Sequence, residues 1–240
     1  MRARRTALIL VAAAGVAVAV AAARRAPRAS RPPLIQLADG IFRVDGVPVT
    51  NIYVVETDDG LLLVDTGLPG NAGRICRFIE AMGRHPSELR DIVLTQTDGD
   101  HVGSVAALKA RTGAHVAIHE LDASVLSGER RPQKRPLVPT VLYVLLMQHV
   151  TPDRLLRDGD TIGGLQVVHV PGHTAGSIAL VRDGGFVFSG DALLTDKHGN
   201  VIPLDPRLAQ DPAQASVSAE RIKALHPRLL LPGHGAAATV

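Results

Sequence analysis

Four turns in this chain collect side chains of the types that ligate divalent cations. Gln96, Asp98, Asp100 and His101 crowd into "LTQTDGDHVGS" (94–104), directly after the apolar run "DIVL". His173 lies in "VPGHTAGS", Asp191 in "FVFSGDAL" and His234 in "LLLPGHG". Imidazole and carboxylate are common donors to zinc, manganese and iron, and three histidines with three or four carboxylates make a ligand count for one or two such ions. A single histidine or aspartate at a strand end is more often structural. Four such turns, each after an apolar strand and beside a glycine, point jointly to one cleft, because strand ends on one edge of a sheet can converge.

The elements that must position these turns are short β-runs and a few helices. "IFRVDG", "NIYVVETDDG" and "LLLVDTG" read as strands, with Asp58-Asp59-Gly60 a hairpin turn. A helix is predicted over 71–83, where Ile75, Ile79 and Met82 recur at helical spacing, then a buried strand at "DIVLTQ". A second helix is predicted over 102–112, stopped by Gly113 at a left-handed C-terminal position. "HVAIHE", "VVHVPGH", "SIALVRDGG" and "FVFSGD" read as further strands. Asp211-Pro212 supplies an N-cap and first-turn proline for a helix with Ile222 and Leu225 inward, ended by Pro227; "LLLPGHG" is the last strand. The order suggests an α/β layered fold with more than one sheet.

At 240 residues and 46% hydrophobic content the chain can bury a substantial core as one domain, with aliphatic side chains filling it because aromatics are scarce. The formal net charge of +3 is uneven. Residues 1–33 hold seven arginines and no acid, so the remaining 19 basic residues face 23 acidic ones. A mildly acidic body gives no support for nucleic-acid binding. The apolar stretch from Ala7 to Ala23, flanked by arginines and lacking any polar face, reads as a signal or membrane anchor, cleaved or retained; Pro27, Pro32 and Pro33 follow as a stiff linker. The folded domain is therefore expected over 34–240, either exported or held at a membrane. Within it, 127–152 places a basic, Pro-rich stretch before an apolar helix, Val138 to Met147, which reads as a core helix or as a lid insertion. The lone Cys76 excludes an internal disulfide and a thiolate zinc cluster, and is expected as a structural thiol.

With "VDTG" (64–67), the 95–103 loop, "PGHTAGS" (171–177), "SGDAL" (189–193) and "PGHG" (232–235) in this order, residues 36–236 resemble the metallo-β-lactamase-fold hydrolase superfamily, most closely its single-domain lactonase- and esterase-like branch. The resemblance implies an αβ/βα four-layer sandwich with a shallow binuclear metal site on one edge. Carried over by position, it implies that Asp100, His101 and His234 bind one metal and that Asp191 bridges two. Asp65 would orient ligands without binding. The other metal departs from the family's usual three histidines: here the positions hold Gln96, Asp98 and His173. Carboxylate and amide oxygens make this half harder, so two divalent ions are expected, zinc by family habit, manganese or iron by donor chemistry.

What the resemblance implies about activity is hydrolysis of an ester, lactone or related bond in a small-molecule substrate by a metal-activated water. Asp100 would orient that water and deliver a proton to the leaving group. Two other readings stand beside it: a diiron oxidoreductase, favoured by the acid at 98, and a metal-poor binding protein that has lost turnover through Gln96. Of the remaining histidines, His115 and His119 read as ordinary strand residues, His85 and His226 precede prolines in turns, and His149 and His169 carry no partner signal. Lys197 and His198 read as solvated-loop residues within possible reach of a substrate.

Overall fold

Apolar side chains that alternate along a strand face opposite sides of a sheet, and this chain fills both sides. In the computed structural model, which describes residues 32–133 and 146–239, β1 (Ile35–Ala38), β2 (Ile41–Arg43), β3 (Tyr53–Thr57) and β4 (Gly60–Val64) form an antiparallel meander. Asp58 and Asp59 make the tight turn that pairs Thr57 with Gly60. Beyond it, β4 pairs in parallel with β5 (Leu89–Val93), β5 with β6 (His115–His119) and β6 with β7 (Arg154–Leu156), completing a seven-stranded sheet. The second sheet holds β8 (Thr161–Ile162), β9 (Leu165–His169), β10 (Ile178–Arg182), β11 (Phe186–Gly190) and β14 (Leu229–Pro232), in the order β14-β11-β10-β9-β8. Between its last two strands, β12 (Leu194–Thr195) and β13 (Val201–Ile202) make a separate hairpin.

Alternation creates three cores. Tyr53, Val55, Leu62, Val64 and Val93 from the first sheet meet Val167, Leu180, Phe188 and Leu231 from the second. Their neighbours Val54, Leu63 and Ile92 turn the other way, against helices α1 (Ala72–Ala81), α3 (Val105–Thr112) and α4 (Glu120–Leu126). On the far side, Val168, Val187 and Leu230 cover Ile222 of α5 (Pro212–Lys223). The layers are helix, sheet, sheet, helix: the expected αβ/βα sandwich. Each fully buried Leu, Ile or Val contributes ~1.5–3 kcal/mol relative to exposure.

Local signals are met at Gly113, which caps α3 at φ 75° with its N–H on the Lys109 carbonyl, and at Asp211, whose carboxylate accepts from Gln214 N. The helix expected over 102–112 is instead two pieces, α2 (Gly99–Val102) and α3. Ser104 breaks it: its hydroxyl donates to the Leu68 carbonyl and accepts from Asn71 N, while its own N–H goes to Thr66 Oγ1. Leu225, expected inward, is 39% exposed, because α5 ends at Lys223. Cys76 is half-buried on α1, and burial raises its thiol above the usual range. The leader and most of the apolar helix expected at Val138–Met147 lie outside the described residues. The described end of that stretch places Met147 in the helix-side core and bonds Val150 N to the Leu126 carbonyl. Among the described residues no helix is long and apolar enough to cross a membrane.

Candidate metal centre

Strand direction decides where the four turns go. β4 and β5 are parallel, and in the second sheet β9, β11 and β14 all run one way, since β10 is antiparallel to both β9 and β11. The turns after β4 (Asp65), β5 (94–101), β9 (His173), β11 (Asp191) and β14 (His234) therefore share one edge of the sandwich. The two sheets are sewn together there. Ile178 N donates to Thr95 O at 2.9 Å and Asn51 N to Gly233 O at 2.7 Å, and the Tyr53 hydroxyl donates to Pro232 O at 2.7 Å.

Two groups of donors result. Asp100, His101 and His234 form one; Asp98, His173 and Asp191 form the other, and within each the ligating atoms lie within 4.8 Å of one another. Asp191 joins them. Its Oδ1 lies 3.5 Å from His101 Nε2 and 3.4 Å from His234 Nε2, while its Oδ2 lies 3.5 Å from His173 Nε2. Asp98 Oδ2 sits 3.0 Å from His173 Nε2, and His234 Nε2 sits 3.3 Å from Asp100 Oδ2. Gln96 enters from the same side, donating from Nε2 to Asp191 Oδ2 at 3.0 Å. All seven residues singled out in the sequence meet at this centre.

Neighbouring groups set the orientation of the imidazoles. Asp65, in the left-handed region at φ 62°, accepts from Thr95 N, Thr95 Oγ1 and His101 Nδ1, each at 2.8 Å. With Nδ1 so bound, His101 turns Nε2 inward. Val49 does the same for His234: its carbonyl accepts from Nδ1 at 2.9 Å. Val49 is β-branched at φ 76°, a conformation costing on the order of 1–3 kcal/mol, and it is held while presenting that carbonyl. Thr50 donates to Asp100 Oδ2 at 3.0 Å. Gly233 is required because a Cβ there would stand 2.5 Å from Asp191 Oδ1 and 2.9 Å from His101 Cε1.

Charge is concentrated at the centre. Burial alone would raise the Asp191 carboxyl, but the His234 and His101 imidazoles hold it well below the ordinary range. Burial alone would lower those imidazoles, and Asp191 with its fellow carboxylates drives both well above theirs. Acids that gather protonated histidines in this way can exchange those protons for cations. His101 Nε2, Asp191 Oδ1 and Gln96 Oε1 are buried with no hydrogen-bond partner among the described residues. Buried polar atoms left so are costly in an interior, and a divalent cation accepts such donors. The residues fit two metal ions.

Val49 and Thr50 escaped the sequence reading: a main-chain carbonyl has no residue signature, and one threonine has no spacing pattern. The structure also supplies partners for His169, whose ring stacks on His119 with centroids 4.1 Å apart and whose Nε2 lies 2.9 Å from the Ala175 carbonyl. Lys197 and His198 are exposed on a turn capped by Asp196.

Comparison with known proteins bears on this geometry. A profile of the metallo-beta-lactamase superfamily matches residues 45–234. The Bacillus subtilis protein named probable metallo-hydrolase YflN is 27% identical, covering 79% of this chain and 81% of its own. A Shewanella baltica hydroxyacylglutathione hydrolase is 29% identical over 71% of this chain and 56% of its own length. Among solved structures, TTHA1623 in a di-iron-bound form superposes with a TM-score of 0.62 at 29% identity, over 87% of this chain and 93% of that one.

Proposed function

The chain belongs to the metallo-beta-lactamase superfamily and is a metal-dependent hydrolase, and we propose that it cleaves an ester, lactone or related bond using two divalent cations. In this reading Asp100, His101 and His234 hold one cation. Gln96, Asp98 and His173 would hold the other, with Asp191 standing between the two sets. The observation that carries it is the division of Asp191, whose two oxygens face different histidine sets.

Cations bound there would acidify a water and polarise the scissile carbonyl. The chain's own residues do the rest. Asp100 is the most open carboxylate of the cluster, its side chain 25% exposed against 14% for Asp98, 7% for Asp191 and 2% for Asp65. It therefore orients the attacking water, accepts its proton on a carboxylate oxygen and returns that proton to the leaving group. Thr50, bonded to Oδ2, restrains the rotation of that carboxylate. Asp65 and the Val49 carbonyl keep the Nε2 atoms of His101 and His234 aimed inward.

The relative named hydroxyacylglutathione hydrolase supports an acyl substrate, and the di-iron-bound neighbour supports iron. Protein loaded with Mn²⁺, Fe²⁺ or Zn²⁺ should hydrolyse members of a panel of aryl esters, thioesters and lactones, with turnover tracking metal per chain. Two ions per chain and no hydrolysis across the panel would refute the bond class. The reading of residues 1–33 as an export signal or anchor is likewise proposed, on their sequence alone.

A further inference from the structure

Asp65 serves one ligand group from outside it, and a second buried acid stands in the same relation to the other. Asp122 lies on α4, just past β6, and is 2% exposed. Its Oδ2 accepts from Thr174 Oγ1 at 2.7 Å and, more weakly, from Thr97 Oγ1 at 3.4 Å; its Oδ1 accepts from Gly176 N at 2.9 Å. Thr97 sits between Gln96 and Asp98, and Thr174 follows His173. One carboxylate from a third element thus ties both loops that carry Gln96, Asp98 and His173.

The turn is built to admit it. A Cβ at Gly176 would stand 2.7 Å from Asp122 Cγ and 2.8 Å from its N and Cβ, so only glycine leaves room. Ser177 Oγ accepts from Thr174 N at 2.9 Å and lies 2.9 Å from Thr174 Oγ1, directing that hydroxyl toward Asp122. Thr174 and Gly176 of "HTAGS" contact this acid directly, and Ser177 reaches it through Thr174. Burying a carboxylate is costly unless its oxygens are hydrogen-bonded, and here both are.

We infer that Asp122 is the positioning residue of the Gln96–Asp98–His173 metal site, holding its two loops in register as Asp65 does for His101. This rests on the two-cation reading above. Changes to groups that hold metal ligands cost ~10–100-fold in metal affinity. The full-length chain, stripped and titrated with Mn²⁺, is followed by calorimetry and by electron paramagnetic resonance, for wild type, Asp122→Asn, Asp122→Ala and Asp98→Ala. Wild type should bind two ions and show an exchange-coupled signal. Asp122→Ala should weaken ~100-fold the same binding event that Asp98→Ala removes, leaving the other event unchanged and an isolated-ion six-line signal. Asp122→Asn, which keeps an oxygen for Gly176 N, should recover part of the affinity, to within ~10-fold of wild type. If the alanine variant does not fold, the asparagine variant decides: folded, with both events at wild-type affinity, it overturns the inference. Equal weakening of both events also overturns it, since that is a general structural effect. If Asp98→Ala itself leaves both events intact, the failure lies with the ligand reading and the inference falls with it; if Asp98→Ala removes one and Asp122→Ala none, only the inference fails.

Discussion

Asp191→Asn tests the shared carboxylate with the least change of shape. The amide keeps the volume and one oxygen but removes a full negative charge that faces His101 and His234 on one side and His173 on the other. Two divalent ions bring four positive charges, against which Asp98, Asp100 and Asp191 supply three negative ones. At about 4 Å and an effective dielectric near 20, a lost unit charge is worth ~8 kcal/mol toward a divalent ion before relaxation. The amide dipole and solvent return part of that, leaving ~3–4 kcal/mol per ion. At 1.4 kcal/mol per tenfold this is ~10²–10³ in affinity for each ion, so both binding events weaken and not one alone. Metal per chain after gel filtration, read by plasma mass spectrometry, should fall from two to below one, and hydrolysis by at least ~10²-fold. In the metal-free variant, His101 and His234 should also titrate lower than in wild type, because the carboxylate that raises both is gone; their ring protons in NMR report it. An Asp191→Asn protein that retains two ions per chain would show that Asp191 lies beside the metals without holding them.

Two further perturbations separate neighbouring effects. Asp98→Ala should lose more metal than Gln96→Ala, since the acid contributes a charge and the amide only a dipole; Gln96→His should keep or tighten binding and shift preference toward zinc. Equal metal content in wild type and all three would end the ligand reading of both. Away from the centre, burial and then the stacked His169 push the His119 imidazole down to about 4. Between that value and its unfolded pKa near 6.5 the unfolded chain binds the extra proton, so stability is lost as pH falls through this window and is fully present above it. At ~1.4 kcal/mol per unit, and allowing for the partly open stack, ~1–2 kcal/mol of stability is at stake between pH 7 and pH 4.5. His119→Gln should flatten the fall in melting temperature over that range; an unchanged slope would refute the assignment.

The meeting of the seven side chains is legible in the sequence because their chemistry and the direction of the chain coincide. Each follows an apolar run that can only be a buried strand, and parallel ends must share an edge, so Asp98, His173, Asp191 and His234 meet although up to 136 residues separate them. What stayed hidden depends on groups that pattern does not mark. Ser104 splits a helix through bonds to Leu68, Asn71 and Thr66, and nothing in "HVGSVAAL" distinguishes that serine from an ordinary helical one. α4 carries no start signal in the sequence because its cap is His119, whose ring accepts from Leu121 N, and histidine is not among the residues that usually signal a helix start. Asp122 shares that lack of signal, because its place depends on α4. Its trace was nonetheless in the sequence, displaced onto its partners. Thr174, Gly176 and Ser177 carry no metal-binding chemistry of their own, and in the fold Thr174 and Gly176 find their buried acceptor in Asp122. Residues in a motif beyond its evident ligands are therefore a physical clue to an unseen partner, and here they lead from "HTAGS" to a carboxylate more than fifty residues upstream.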